Sequence, residues 1–214
     1  MAKQTMPQLP RWDGPLSHPF YSKVVKRALD FLLALLMLIP GCIIMLPLAI
    51  WVKLDSPGPV IYKAVRGGYH NKPFLIYKFR SMVVDADKTG GCTALNDSRV
   101  TRAGRVMRKL KLDELPQLFN ILKGQMSIVG PRPALWNQDD LVAERDKYGA
   151  NDCVPGLTGY AQVHGRDELP IPVKAELDGY YAKNLSFALD VKIFFRTIGS
   201  VLHHEGVVEG KQDT

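Results

Sequence analysis

Asp113 and Glu114 stand side by side in the stretch KLDELPQLFN, Lys111–Asn120, at the end of a run rich in arginine and lysine. Neighbouring residues on a helix point about 100° apart, so these carboxyls do not form the facing acid pair of a glycosidase. Two acids at a helix start do suit a divalent cation such as Mg2+ when a substrate brings phosphate oxygens. That ion takes one or two carboxylates and fills its other positions with phosphate and water. Arg108, Lys109 and Lys111, together with the positive end of the helix dipole, favour the ionised form of both acids. An ionised aspartate can attack phosphorus, but anion then meets anion, so the step needs cations around the phosphate. The basic surroundings of the acidic pair thereby acquire a purpose. The plainer reading is helix capping, since acids are common at helix starts.

Arg132 is the second chemical candidate. In Gly130-Pro131-Arg132-Pro133 both proline φ angles are fixed, and a residue before proline is driven extended. The guanidinium is thus presented on a stiff stalk, which suits a bidentate phosphate clamp; a purely structural turn is the alternative.

The elements that must position these groups follow from local pattern. Arg99–Leu112 reads as an amphipathic helix, with Val100, Ala103, Met107 and Leu110 on one face and basic residues, Arg108 among them, over the rest. Glu114–Lys123 reads as the next helix, with Asp113 as N-cap, Pro116 in its first turn and Gly124 as its stop. Val60–Val65 and Pro73–Phe79 read as a hairpin joined through residues 67–71, whose alternation puts Ile76, Lys78 and Arg80 on one face. A polar loop spans Asp85–Ser98. Beyond Val154-Pro155-Gly156 come short strand-like pieces, then helices over Val173–Lys183 and Ala188–His204. The second puts Val191, Phe194, Phe195, Ile198 and Leu202 on one side, a stripe that suits either the core, the favoured reading, or an interface.

The chain has 214 residues and a formal net charge of +7, which fits a single domain with a phosphate-rich partner. Three scattered cysteines, Cys42, Cys92 and Cys153, offer neither a disulfide framework nor zinc-ligand spacing. Basic charge alone would admit nucleic acid, but no aromatic–basic recognition motif accompanies it. Phe31–Val52 carries no charge for twenty-two residues, long enough to cross the hydrocarbon as a helix. It begins too late and runs too long for a cleaved signal peptide. Pro40-Gly41 lies near its middle and Pro47 follows, while Lys23, Lys26, Arg27 and Lys53 make both flanks basic. A segment that enters, breaks at Pro40-Gly41 and returns to the same face satisfies these facts. So does a kinked single span, and the residues alone leave both open.

Three longer motifs in order, YKFRSM (77–82), KLDELPQLFNILKGQMSIVGPRP (111–133) and VPGLTGYAQVHGR (154–166), resemble the bacterial sugar transferases. These are the monotopic polyprenyl-phosphate phosphoglycosyl transferases. The likeness covers about Tyr21 to Gly206. One departure is Ile39-Pro40 at the helix break, where the family often has Ser-Pro.

The resemblance implies an α+β, mostly helical, single monotopic membrane-associated domain with a re-entrant helix–break–helix anchor and a small β-hairpin. Residues 1–22 would be an interfacial tail, 23–54 the anchor, 55–206 the cytoplasmic catalytic domain and 207–214 a C-terminal tail. It further implies transfer of a phosphosugar from a UDP-sugar to undecaprenyl phosphate at the cytoplasmic face of the cell membrane, starting capsule or exopolysaccharide assembly. Asp113 would be the nucleophile, and Glu114 would complete the dyad and help hold Mg2+. Lys78, Arg80, Arg108 and Arg132 would bind phosphate, with Gln162 and Arg166 in the nucleotide-sugar region. Membrane lipid is the expected surroundings, nucleic acid is not an expected partner, and a homodimer stays open. The competing class is a non-catalytic basic module that binds anionic lipid or a partner protein, which leaves the acidic pair without a task.

Overall fold

A computed structural model describes residues 18–86, 97–165 and 169–202. It is mostly helical. In chain order come α1 (Lys26–Asp55), β1 (Ile61–Gly67), β2 (Pro73–Phe79), α2 (Arg102–Lys109), α3 (Gln117–Leu122), β3 (Ser127–Val129), α4 (Asp139–Asp146), β4 (Gly156–Thr158), α5 (Ile171–Lys183) and α6 (Phe187–Leu202). The expected interfacial tail lies mostly outside the described residues, as do most of the 85–98 loop, Arg166 and the C-terminal tail.

Helix α1 carries the apolar segment. Its buried residues, Lys26, Asp30, Ala34, Gly41, Leu48 and Val52, recur at helical spacing and form one stripe against the rest of the protein. The opposite side exposes Phe31, Leu32, Leu35, Leu36, Ile39, Ile43, Leu46, Ile50 and Leu54. Only 17% of its apolar window is buried, so this is not the core helix of a soluble protein. Both ends are fastened to the same body. Near the start, Lys26 Nζ reaches Asp190 Oδ2 at 2.7 Å, and Asp30 Oδ1 accepts from the Ile128 amide at 2.9 Å. Near the end, Leu48 and Val52 pack with Phe79, Ala103 and Met107, and Asp55 Oδ2 accepts from the Ala103 amide at 2.9 Å.

The expected interruption at Pro40-Gly41 does not occur in the backbone, which stays helical through both Pro40 and Pro47. Each proline removes one N–H donor without forcing the helix to end, and prolines are tolerated where neighbours support the helix. Gly41 lies in the buried stripe facing Leu118 of α3, where a Cβ would make ordinary contact at 3.6 Å from Leu118 Cδ1.

The hairpin forms in antiparallel register from Ile61↔Phe79 to Gly67↔Pro73, as its alternation predicts. Fully buried Asn120 of α3 then acts as a substitute strand along β2. Its Oδ1 accepts from the Tyr77 amide at 3.0 Å, and its Nδ2 donates to the Leu75 carbonyl at 2.7 Å. Edge-strand groups are satisfied in this way, and α3 is locked to the strand carrying Lys78. Strands β3 and β4 pair in parallel, with Ser127↔Gly156 and Val129↔Thr158. The chains cross so closely that a Cβ on Gly156 would stand 2.1 Å from the Gly130 amide nitrogen, so only glycine fits.

Helix α2 starts at Thr101, whose hydroxyl accepts from the Gly104 amide at 3.0 Å. Its buried face is Ala103, Gly104 and Met107, while Leu110, expected on that face, is exposed. Helix α6 departs further from expectation. Ile193 and Asp190 are the buried residues, and Phe195 and Ile198 are exposed. Val191 and Phe194 of the stripe are half-buried and Phe194 packs on the core, so the stripe is part core and part surface, while the Leu202 side chain lies outside the described residues. Helix α4 was not foreseen: Asp139–Asp146 has Leu141 as its one deeply buried apolar residue, too little for a periodic signal.

Candidate active site

The acidic pair lies in a single 3-10 turn, Leu112–Glu114, rather than at the N-cap of the following helix. Lys111, just before it, has φ 57°, a left-handed value uncommon for a side-chain-bearing residue, and turns the chain sharply off α2. Pro116 precedes α3 directly and Gly124, at φ +76°, ends it. The Asp113 N-cap is therefore corrected: the proline start displaces the cap by three positions and leaves both acids in the tight turn.

Glu114 is the meeting point of three elements. Its Oε1 accepts from Lys78 Nζ of β2 at 2.8 Å and from an Arg132 guanidinium nitrogen at 2.8 Å. The Arg132 stalk, fixed by Pro131 and Pro133 beyond β3, thus lands on the dyad. Burial alone would raise the Glu114 carboxyl, but Arg132 and Lys78 overcome this and hold it well below the usual carboxylate range. Glu114 is ionised and committed.

Asp113 is different. It is buried, and its Oδ1 has no hydrogen-bond partner among the described residues. Burial pushes its carboxyl up, the Glu114 charge adds to this, and Lys78, Lys111 and Arg108 act in the other direction. Basic surroundings are expected to favour the ionised form of both acids; the cations prevail at Glu114, while at Asp113 desolvation outweighs them and raises the carboxyl above its ordinary value. Its buried Oδ1 receives no hydrogen bond among the described residues, whereas buried polar atoms ordinarily have a partner.

A divalent cation fits that need. No group of three metal-ligating side chains occurs among the described residues, so protein atoms alone make no closed cage. Asp113, with the Glu114 oxygen not engaged by Lys78 and Arg132, would supply the one or two carboxylates that Mg2+ requires beside substrate phosphates.

Other predicted residues divide into those at the dyad and those elsewhere. Arg108, in the last turn of α2, donates from Nε to Ser81 Oγ at 2.8 Å and lies near enough to act on the Asp113 carboxyl. Gln162, in the turn after β4, donates to the Leu157 carbonyl at 3.3 Å while its Oε1 is buried without a hydrogen-bond partner. Arg80 is not brought to the site. It is 5% exposed and caps the end of α1, donating to the carbonyls of Ser56 at 2.7 Å and Pro57 at 2.5 Å. It follows the end of β2, where strand alternation no longer sets its direction. Arg166 lies outside the described residues. Asn120 is the positioning residue that sequence reading missed, since a helical asparagine reveals nothing of the strand it will meet.

A cleft of about 390 Å3 opens beside the dyad. Lys111, Glu114, Arg132 and Gln162 are among its polar lining residues, and Met37 of α1, Leu118, Leu157, Phe194 and Ile198 are among its apolar ones. A ligand that joins a charged phosphate to an apolar chain would find both kinds of lining in this cleft.

The family profile described as bacterial sugar transferase matches residues 21–204. The chain belongs to the bacterial sugar transferase family. This sugar transferase is 42% identical over 184 residues to the uncharacterized sugar transferase EpsL of Bacillus subtilis (strain 168), covering 86% of this chain and 90% of that protein. It is 44% identical over 196 residues to the UDP-N-acetylgalactosamine-undecaprenyl-phosphate N-acetylgalactosaminephosphotransferase of Aeromonas hydrophila. Identity is 39% over 207 residues to the UDP-glucose:undecaprenyl-phosphate glucose-1-phosphate transferase of Escherichia coli (strain K12). The sugar transferase spans less than half of these last two proteins, 45% and 43%, while they match 87% and 90% of it. Dyad, hairpin and cleft fall inside the shared region.

Proposed function

We propose that this sugar transferase moves a sugar phosphate from a UDP-sugar to undecaprenyl phosphate at the cytoplasmic face of the membrane, releasing UMP. The observation that carries the reading is the split within the dyad: Glu114 is clamped by Lys78 and Arg132, while Asp113 keeps a buried oxygen without a partner. The two named phosphotransferase relatives act, by their names, on undecaprenyl phosphate with different sugars, which supports the acceptor and leaves the sugar open.

In this mechanism an Asp113 oxygen attacks the phosphorus that bears the sugar. The bond from that phosphorus to the oxygen bridging to UMP breaks, and UMP leaves with the electron pair. The phosphate oxygen of undecaprenyl phosphate then attacks the same phosphorus, the bond to Asp113 breaks, and the carboxylate is restored as undecaprenyl-diphosphate-sugar forms. No net proton is consumed by the carboxylate. Arg132 and Lys78 hold positive charge where phosphate charge gathers, and Arg108 adds to that field from α2. Mg2+ held by Asp113 and Glu114 would neutralise phosphate charge. Because one carboxylate serves both halves, kinetics are ping-pong.

The anchor fits this chemistry. Both ends of α1 are fastened to the body that carries the dyad, and its outward side is a continuous apolar surface. We read α1 as dipping into one leaflet with both ends on the cytoplasmic side, which keeps the dyad at headgroup level. Cysteines placed at the two flanks of α1 should then label from the same side of the membrane. Continuous UMP release beyond one equivalent per protein that needs both UDP-sugar and undecaprenyl phosphate, and stops in chelator, tests the activity. Turnover undiminished in chelator contradicts it.

A further inference from the structure

Two side-chain contacts on adjacent residues of α6 tie that helix to β4 and to the turn after it. Thr197 Oγ1 meets Thr158 Oγ1 of β4 at 2.6 Å, and Arg196 Nη1 meets His164 Nε2 at 2.8 Å. His164 closes the 3-10 turn Gln162–His164, and its Nδ1 stands 2.7 Å from the Tyr160 carbonyl oxygen. These contacts fix where the ring carries its proton. A carbonyl oxygen only accepts, so Nδ1 holds the hydrogen; a guanidinium only donates, so Nε2 offers its lone pair. The imidazole is therefore neutral in this geometry. Arg196 forms no ion pair among the described residues, and the histidine is the acceptor it meets. Phe194, Thr197 and Ile198 of α6 line the cleft beside the dyad, and so do Gln162 and Val163 of the turn. The contact between Arg196 and His164 thus sets the spacing of two parts of one lining.

We propose that His164 is a positioning residue for this cleft, its neutral ring latching α6 to the Gln162 turn through Arg196. The inference rests on the sugar-phosphate transfer proposed above, because the latch acts on the cleft beside the dyad of that reaction. Protonation of Nε2 turns the acceptor into a donor and sets a second positive charge against the guanidinium, so the latch opens. Among the described residues, the charged groups acting on the ring are Arg196 and Lys192, both on α6. Tyr160 stacks on it with ring centres 4.1 Å apart, and Tyr180 of α5 stacks on Tyr160 at 4.7 Å. Burial, with the two α6 cations, holds the ring below the ordinary histidine value of about 6.5, while the Tyr160 carbonyl acts the other way. The latch is closed at neutral pH and opens as pH falls through that lowered value.

The test uses full-length protein in nanodiscs, with nitrogen-15 histidine NMR for the ring and UMP release for the rate. At about pH 8 the spectrum should show a neutral Nδ1–H imidazole, identified as the signal missing from His164→Gln. In Arg196→Gln the titration of this ring should move to higher pH, because a cation facing it is gone. In the wild type kcat/KM should fall by about three- to tenfold as the ring gains its proton, the range for one exposed charge-assisted hydrogen bond. His164→Gln, which offers an uncharged acceptor near the Nε2 position, should stay active and lose that step, keeping only the acid limb set by Asp113. His164→Lys, with a permanent charge there, should show the lowered rate already at about pH 8. A merely structural role would lower the melting temperature of these variants without moving the pH profile. The inference is overturned by an Nε2–H tautomer at about pH 8, by a ring titration that Arg196→Gln leaves in place, or by an acid profile shared by His164→Gln and the wild type. A wild type that releases no UMP refutes the transfer reaction instead, and the ring titration still decides the latch.

Discussion

Replacing Glu114 by glutamine probes the dyad most finely, because the side chain keeps its shape and loses only its charge. In the wild type, Glu114 Oε1 accepts two charge-assisted hydrogen bonds at 2.8 Å, from Lys78 and Arg132. Such bonds are worth about 1.5–3 kcal/mol against about 0.5–1.5 for neutral ones, so each loses about 1 kcal/mol in the variant. The Arg132 side chain is 37% exposed, and solvent reduces its share. The expected loss of stability is therefore about 1–2 kcal/mol. Its pH dependence has a fixed sign. Glu114 titrates below the ordinary range in the fold, so its contribution is complete above about pH 5 and is lost as pH falls through the region below about 4. The gap between wild type and Glu114→Gln should thus be widest near neutrality and close on acidification. Activity should fall by about ten- to a hundredfold through weaker cation binding. Removing the Glu114 charge also removes a cause that raises the Asp113 carboxyl, so the acid limb of the remaining activity should move to lower pH. Thermal unfolding across pH and a pH–rate profile give both readings. A stability gap that widens on acidification, or an acid limb that moves upward, refutes the reasoning.

Other variants separate architecture from chemistry. Arg80→Gln should lower the melting temperature, since it uncaps α1, yet leave KM for the UDP-sugar of the folded protein unchanged; Arg132→Gln should do the opposite, with little loss of stability and a rate loss of about a hundredfold or more. Asn120→Ala leaves the Tyr77 amide and Leu75 carbonyl unpaired at about 1–3 kcal/mol each, which for a chain of this size should lower the melting temperature by about 4 °C or more. A melting temperature within error of the wild type would show that Asn120 does not fasten β2.

Local signals made much of this fold legible. Turn residues bounded the hairpin, Gly124 ended α3, and apolar spacing located α5 and α6. The stiffness of Pro131-Arg132-Pro133 was likewise readable, because proline acts on its own backbone wherever the chain goes. What stayed hidden was decided by distant partners. Lys78 and Arg80 share a strand face on paper, yet one meets Glu114 and the other turns to the end of a helix more than twenty residues upstream. The asymmetry of Asp113 and Glu114 is equally non-local. It comes from burial of one carboxyl and capture of the other by two elements that lie apart in sequence. The α6 stripe divides between core and surface, because apolar periodicity marks a face without saying what will cover it.

The central claim is that the Asp113 carboxylate itself takes the sugar phosphate. The most direct measurement is mass spectrometry of peptides from protein quenched after exposure to a UDP-sugar without undecaprenyl phosphate. The account predicts a sugar-phosphate adduct on Asp113, absent in Asp113→Asn and discharged when undecaprenyl phosphate is added. An adduct on another residue, or an Asp113→Asn protein that turns over at the wild-type rate, contradicts it.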